Sequence, residues 1–329
     1  MSRQSTELKV IRSSRVSDVL PYVRCAPEYP YSEEMISLCK RGNSFQQEYY
    51  YIECGEDYAF FVLYYHRLNV FTLGTRRLYM NVKMIGYPCS LSCCGYITNN
   101  PVFMLDHVKT IKGLKIVLNV TDPVKIKGTV LGETLPTCVL KLRSESAEEY
   151  LNSMRSPYRR RILAALKRCR GLTDRIVCDN SVDVHALYMN TYEKSGYQLE
   201  CLNRDFFEDI DADKIVFFQD GRPVGFILLK EDRKKLFFLF CGMDYSYPAA
   251  DLYYCMLYRI VRYAIEHHCG EIDFGQTSEN TKMRFGAVLQ KRFFYAIPSN
   301  PFIRLTAMAV KPLLEYRYEF PVYKVFKDS

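Results

Sequence analysis

The 329-residue chain has no tryptophan, only five histidines and no CxxC pair. Cys93 and Cys94 are adjacent and Cys89-x3-Cys93 is a loose spacing, with no histidine nearby. That pattern lacks zinc-ligand spacing, so no metal is expected. The longest apolar run, Tyr58 to Tyr65, is eight residues, whereas a bilayer span needs about 20. Residues 1–25 contain no apolar stretch of the secretory type. Repeats, low-complexity segments and a glycine-rich phosphate loop are also missing. These absences point to a soluble, cytoplasmic protein without stable membrane insertion. Its thirteen cysteines are then expected as reduced thiols, most of them serving as small buried hydrophobes.

Hydrophobic residues make up 48% of the chain and charged residues 25%, a globular composition. The length suggests about two domains and a core that needs no staples. The net charge of +8 is spread evenly along the sequence. It suits an anionic partner without requiring one, and DNA is not expected. The 27 tyrosines bring hydroxyls that need partners when buried, as in a tyrosine-lined groove.

Residues 17–42 read as partly helical. Strands are expected at Gln47–Cys54, Tyr58–Tyr65, Lys115–Val120 and Thr137–Leu142. A boundary near 135–145 divides residues 1–142 from 143–329. Ser144 is a candidate cap for a short polar helix, and Ser156-Pro157 opens another. That second helix sets Ile162, Leu166 and Cys169 on one face, with Leu163 beside them. Eight basic residues and one acid lie between Arg155 and Arg175. They form either a solvated helix face or an anion-binding one. A helix over Val182–Ser195 is followed by strands at Lys214–Gln219 and Val224–Leu229, joined by an Asp220-Gly turn. A third strand covers Lys235–Cys241. Leu252, Met256, Ile260 and Ala264 then mark a helix, with Gly270 as its expected left-handed terminator.

Strand, loop and helix N-terminus in succession make an anion site, because free backbone N–H groups and the helix dipole point outward. Here that site is Met243–Leu252, including Ala249, Ala250 and Asp251. Downstream lies Asp273-Phe-Gly-Gln-Thr-Ser-Glu-Asn-Thr-Lys282-Met-Arg284-Phe-Gly286-Ala287. This stretch resembles the signature D-F-x-x-G-x-x-x-Y-K-x-R-[WF]-G-A of the CelD/BcsL-like acyltransferases. Those belong to the GNAT superfamily and are close to FemAB-type aminoacyltransferases. Upstream, Glu149-Tyr-Leu-Asn-Ser-Met followed by Arg159-Arg-Arg-Ile-Leu is similar to that family's E-Y-L-x-S-L and basic helix. The likeness covers roughly 145–295, with the first 140 residues as a diverged lobe. Thr277 stands where the family has glycine, and Thr281 where it has tyrosine.

The resemblance implies an α+β or α/β fold of two GNAT-like lobes, each a mixed, mostly antiparallel sheet flanked by helices. It implies an N-acyltransferase that moves an acyl group from acyl-coenzyme A to a small-molecule amine. The alternative is an aminoacyl-tRNA donor, with tRNA bound by the basic helix that includes Arg159. Pantetheine would lie along Cys241, Gly242 and Met243, where glycine permits close backbone approach. Lys282 and Arg284 are candidate donors to a phosphate, carboxylate or oxyanion, or else members of ion pairs. Asp273 and Glu279 are candidate bases, although Asp273 equally suits a turn cap. Asn280 suits an acyl carbonyl or a loop contact. Tyr245 and Tyr247 are candidate acids, and Cys241 a candidate nucleophile. A binding protein with a decayed site is a further reading of Thr277 and Thr281.

Overall fold

A computed structural model describes residues 7–23, 29–69, 78–196, 199–300, 304–305, 308, 311–312, 314–317 and 319–327. In chain order the elements are β1 (Lys9–Ser13), α1 (Glu33–Gly42), β2 (Gln47–Cys54), β3 (Asp57–Asn69), β4 (Tyr79–Ile85), β5 (Tyr96–Thr98), α2 (Pro101–Thr110) and β6 (Lys115–Val120). There follow β7 (Val130–Lys141), α3 (Ala147–Ser153), α4 (Ser156–Arg168), β8 (Leu172–Ile176), α5 (Val184–Lys194), α6 (Arg204–Asp209), β9 (Asp213–Gln219) and β10 (Arg222–Asp232). The last are β11 (Lys235–Met243), α7 (Ala249–Glu266), β12 (Glu271–Asp273), α8 (Glu279–Met283) and β13 (Val288–Ile297). Two compact units result: 1–135 with 291–318, and 136–290 with 319–329. Residues 291–318 return to the first unit, which a single cut at 142/143 does not anticipate.

In the first unit the strand order is β1-β2-β3-β4-β6-β13, with β5 also on β3. Only β4 and β6 run parallel, and the chain between them includes α2. One core packs Ile52, Phe61, Leu63 and Val117 against Met104, Leu105 and Val108 of α2. Asn100 caps α2 by accepting from the N–H groups of Val102 and Phe103, which satisfies donors that the helix leaves unpaired.

The second unit has the order β7-β12-β11-β10-β9-β8. Its one parallel pair is β11 with β12, and α7 makes the crossover. The strands of each unit are therefore mixed and mostly antiparallel, flanked by helices. Leu252, Met256, Ile260 and Ala264 are fully buried in a core shared with Ile162 and Ala165 of α4. At about 1.5–3 kcal/mol for each large side chain, this stripe fixes α7 on the sheet. On the opposite face Phe207, with Tyr188 of α5, packs against Phe240 and Phe226. Asp220 and Gly221 both have positive φ, 49° and 76°, as a tight hairpin turn with right-handed twist requires.

Three local expectations are corrected. Ser146, rather than Ser144, caps α3 by accepting from the Glu149 N–H. Arg155 is the N-cap of α4 and makes no side-chain cap, so Ser156-Pro157 lies inside the first turn. His268, at φ 56°, ends α7 in place of Gly270. Cys269 N–H bonds Ala264 O and His268 N–H bonds Ile265 O, the paired bonds of a Schellman end. Leu163, expected beside the apolar stripe, is 45% exposed. The twelve described cysteines are free thiols. Among the described residues, no helix is long and apolar enough to cross a membrane.

Candidate functional site

β12 pairs with β11 only over Lys235–Phe237, so Phe238–Met243 continue past the end of their parallel neighbour. The register of β11 against β10 slips between Leu228 and Leu229, leaving Leu239 as the extra residue. This β-bulge resets the alternation of side chains. Cys241 consequently joins the core that holds Phe238, while Phe240 turns to the α6 aromatics.

The segment after β12 wraps back over that end. Asp273 Oδ1 accepts the Gly275 N–H at 2.9 Å, and Oδ2 lies 3.4 Å from Lys235 Nζ. Of the two roles open to Asp273, this geometry fits the turn cap. Gly275, Thr277 and Ser278 have φ of 71°, 62° and 52°. Glycine adopts this region freely. A β-branched residue there is an outlier, so the threonine in the family's glycine position sits on strained backbone.

α8 then buries Glu279 and Lys282, which are 7% and 2% exposed. Lys282 Nζ donates to Gln276 O at 2.6 Å and sits 5.9 Å from the Phe238 ring. Burial lowers its pKa, while the charge field of Cys138, Cys241, Glu279 and Asp273 raises it. Cys138 and Cys241 are pushed up by burial, to about 12 and about 11, and Lys282 opposes both shifts. Cys241 is thus a protonated thiol at neutral pH and a poor nucleophile. Tyr253, which the sequence reading passes over, is raised far above its ordinary value by burial; it hydrogen-bonds Ser278 and lies near both thiols and Glu279.

The end of α8 is built by Lys282-Met-Arg-Phe-Gly286-Ala287. Ala287 N–H bonds Lys282 O and Gly286 N–H bonds Met283 O, with Gly286 at φ 91°. This is again a Schellman end. A Cβ on Gly286 would lie 2.3 Å from a Phe326 ring atom, so two requirements select glycine there. Arg284 is exposed, held by hydrogen bonds to Tyr323 and Tyr254 that raise its pKa. Asn280 accepts from the Tyr323 hydroxyl.

The structure brings Lys282, Glu279, Asp273 and Cys241 together, and links Arg284 to Asn280 through Tyr323. The other candidates lie elsewhere. Tyr245 carries the Lys194 ammonium 3.9 Å above its ring. Tyr247 reaches Gln219 at 3.4 Å, and burial pushes it up to about 12. Arg159 donates to Asn152 at 3.4 Å. Gly242 does admit a close backbone, but that backbone is α5: a Cβ would meet Leu187 C at 2.4 Å. Met243 N–H donates to Thr191 Oγ1 at 3.1 Å.

Ala249, Ala250 and Asp251 form the first turn of α7. The side chain of Ala249 lies outside the described residues. Asp251 accepts Arg161 at 2.9 Å and Arg168 at 2.5 and 2.6 Å. The Arg168 bonds lead in holding its pKa down at about 2. A carboxylate in the first turn complements the helix dipole. The chain therefore supplies its own anion there. Two of the eight basic residues are spent on that clamp. Among the described residues, no group of three or more His, Cys, Asp or Glu is arranged to hold a metal ion.

Residues 153–283 match the family described as acetyltransferase (GNAT) domain. No curated protein matches the sequence. Among solved structures, FemX is similar over 90% of this chain and 99% of its own, at 14% identity and a TM-score of 0.51. L-PGS from Bacillus licheniformis is similar over 88% and 98%, at 11% identity and a TM-score of 0.50. At such identities the likeness is one of fold. The match to the GNAT domain lies inside the second unit, and the chain as a whole shares its mixed α/β fold with FemX and L-PGS.

Proposed function

We propose that the second unit transfers an acyl group from an activated ester or thioester to an amine, with Lys282 at the reacting centre. The observation that carries this reading is a lysine ammonium buried where β11 outruns β12. The amine nitrogen attacks the acyl carbon, the C–N bond forms and the carbonyl becomes an oxyanion. Lys282 keeps donors beyond the one it gives Gln276, and a fixed donor aimed at developing charge stabilises the transition state. The bond to the leaving oxygen or sulfur then breaks, and the amine's proton passes to that atom. Glu279, buried beside Lys282, is the candidate carrier of this proton. Asp273 is committed to its turn.

The favoured donor is an aminoacyl ester of tRNA. Asp251, clamped by Arg161 and Arg168, fills the turn of α7 where a pyrophosphate would otherwise sit. Acyl-coenzyme A is the second reading, favoured by the six β11 residues beyond β12. In either case the acceptor is a small amine and the product an amide, as in a CelD/BcsL-like or FemAB-like enzyme working in the cytoplasm.

Two measurements separate the donors. One is thermal stability with acetyl-coenzyme A, long acyl-coenzyme A esters or free coenzyme A. The other is loss of label from charged tRNA when amines are added. A donor at 100 times its Kd stabilises by about 2.7 kcal/mol. Amine-dependent deacylation with no coenzyme A shift supports the tRNA reading. A shift with esters alone supports coenzyme A. Failure to see either effect would overturn the proposed function.

A further inference from the structure

The first unit encloses a cation that its own chain satisfies only in part. Lys115 on β6 is fully buried, and its ammonium donates to Ile111 O at 2.6 Å. An ammonium has three N–H donors, and among the described residues the other two meet no acceptor. A buried charge is costly unless it is paired. The residue opposite Lys115 on β4 is a second lysine, Lys83. Like charges side by side repel, and Lys83 adds to burial in lowering the Lys115 pKa. Ile111 is the C-cap of α2, whose terminal carbonyls carry a partial charge of about −0.5. That offsets only part of one cation.

The neighbouring elements bring no free acid. Tyr65 of β3 lies opposite Lys83, and the Lys83 ammonium is 5.5 Å from its ring centre. Arg67, two residues on, shares that face of the strand and sits 5.0 Å from the Tyr79 ring centre. Glu48 accepts Arg12 at 2.7 and 3.1 Å, Tyr50 at 3.0 Å and Tyr65 at 3.4 Å, so its charge is already balanced. From β13 the residue opposite Lys115 is the apolar Ile297. His107, in the last turn of α2, lies over Phe61. Among the described residues, Lys115, Lys83 and Arg67 have no carboxylate partner. Exposure falls from Tyr65 and Arg67 through half-buried Lys83 to Lys115. Two adjacent cations match a doubly charged ligand, whereas a carboxylate would balance one of them.

We propose that Lys115 and Lys83 form a binding site for a tetrahedral dianion, a phosphate or sulfate group, which enters past Tyr65 and Arg67. The spare N–H donors of Lys115 and the ammonium of Lys83 converge on its oxygens. The site lies wholly in the first unit and does not depend on the acyl-transfer reading.

The test is isothermal titration calorimetry on the full chain at constant ionic strength, with sodium sulfate, sodium phosphate and phenyl phosphate as probes. Wild type should bind with a Kd below about 1 mM. Lys83→Met should weaken binding by about tenfold or more. Lys125→Met, at an exposed lysine of the same unit, should change it less than about twofold. Matching circular dichroism melts exclude misfolding as the cause. Sulfate keeps both charges across the pH range used, so proton uptake on binding it reports Lys115. With a pKa of about 8, Lys115 is half charged at pH 8 and almost fully charged two units lower. Sulfate binding should take up about half a proton at pH 8 and almost none two units lower, read from titrations in buffers of different ionisation enthalpy. Tighter binding of phenyl phosphate would assign the site to a phosphate ester, and tighter binding of phosphate to the free ion; either supports it. No binding by wild type, equal binding by wild type and Lys83→Met, or binding without proton uptake at pH 8 would overturn it.

Discussion

The Tyr150 hydroxyl donates to the Phe285 carbonyl at 2.6 Å, across 135 residues of chain. Both residues are buried. One belongs to the Glu-Tyr-Leu start of α3, the other to the segment that ends α8. The two sequence stretches that resemble one family are thus joined by a hydrogen bond. Tyr150→Phe leaves that carbonyl unpaired in a dry core, which costs about 1–3 kcal/mol. Urea denaturation should show this loss, and an unchanged midpoint would mean the bond contributes nothing net.

Thr277 bears the strain of the α8 approach. A residue with a Cβ in the left-handed region costs about 1–2 kcal/mol. Thr277→Gly removes that cost, and the freer unfolded chain takes back about 0.4–1 kcal/mol. Stability should rise by up to about 1.6 kcal/mol. A clear fall would show that the threonine side chain contributes more than its backbone costs.

The Asp251 clamp predicts an acid-sensitive contribution. The native pKa of about 2 lies below an unfolded value of about 3.9. The clamp therefore stabilises fully above the unfolded value and is lost as pH falls through the native one. Wild type minus Asp251→Asn should give a stability gap that is widest near neutrality and closes towards pH 2. A gap that is flat with pH would contradict the pairing.

Lys115 predicts the opposite end of the scale. It is fully buried and donates to Ile111 O at 2.6 Å. Burial, with Lys83 adding, lowers its pKa to about 8. Here the native state disfavours the charged form, so the penalty is complete below pH 8 and lifts as pH rises towards the ordinary lysine value. Lys115→Met should remove this alkaline gain in stability. Parallel pH profiles for the two proteins would contradict it.

The sequence makes α7, the β9–β10 hairpin and β11 readable because each rests on local chemistry: an apolar stripe, an Asp-Gly turn and a run of leucine and phenylalanine. The site is readable only in part. Lys282 and Glu279 lie in a motif of fixed spacing, and both do reach the buried centre. What escapes is set at a distance. The bulge at Leu239 depends on β10. The need for Gly242 comes from Leu187 on α5. Asp251 meets its arginines across 83 and 90 residues. Tyr253 flanks the α7 stripe, and only the fold shows that it faces Ser278. Left-handed termini are equally non-local in outcome, since His268 takes the place that composition assigns to Gly270.

The most direct test concerns Lys282. Lys282→Met keeps the volume and removes the ammonium. The readout is the rate of amine-dependent deacylation of charged tRNA, or of acyl-coenzyme A if that proves to be the donor. Loss of a fixed donor at a developing oxyanion lowers the rate about 10²–10³-fold, and the variant should do so with its melting curve and donor binding preserved. A variant that folds, binds donor and turns over at the wild-type rate would contradict the account.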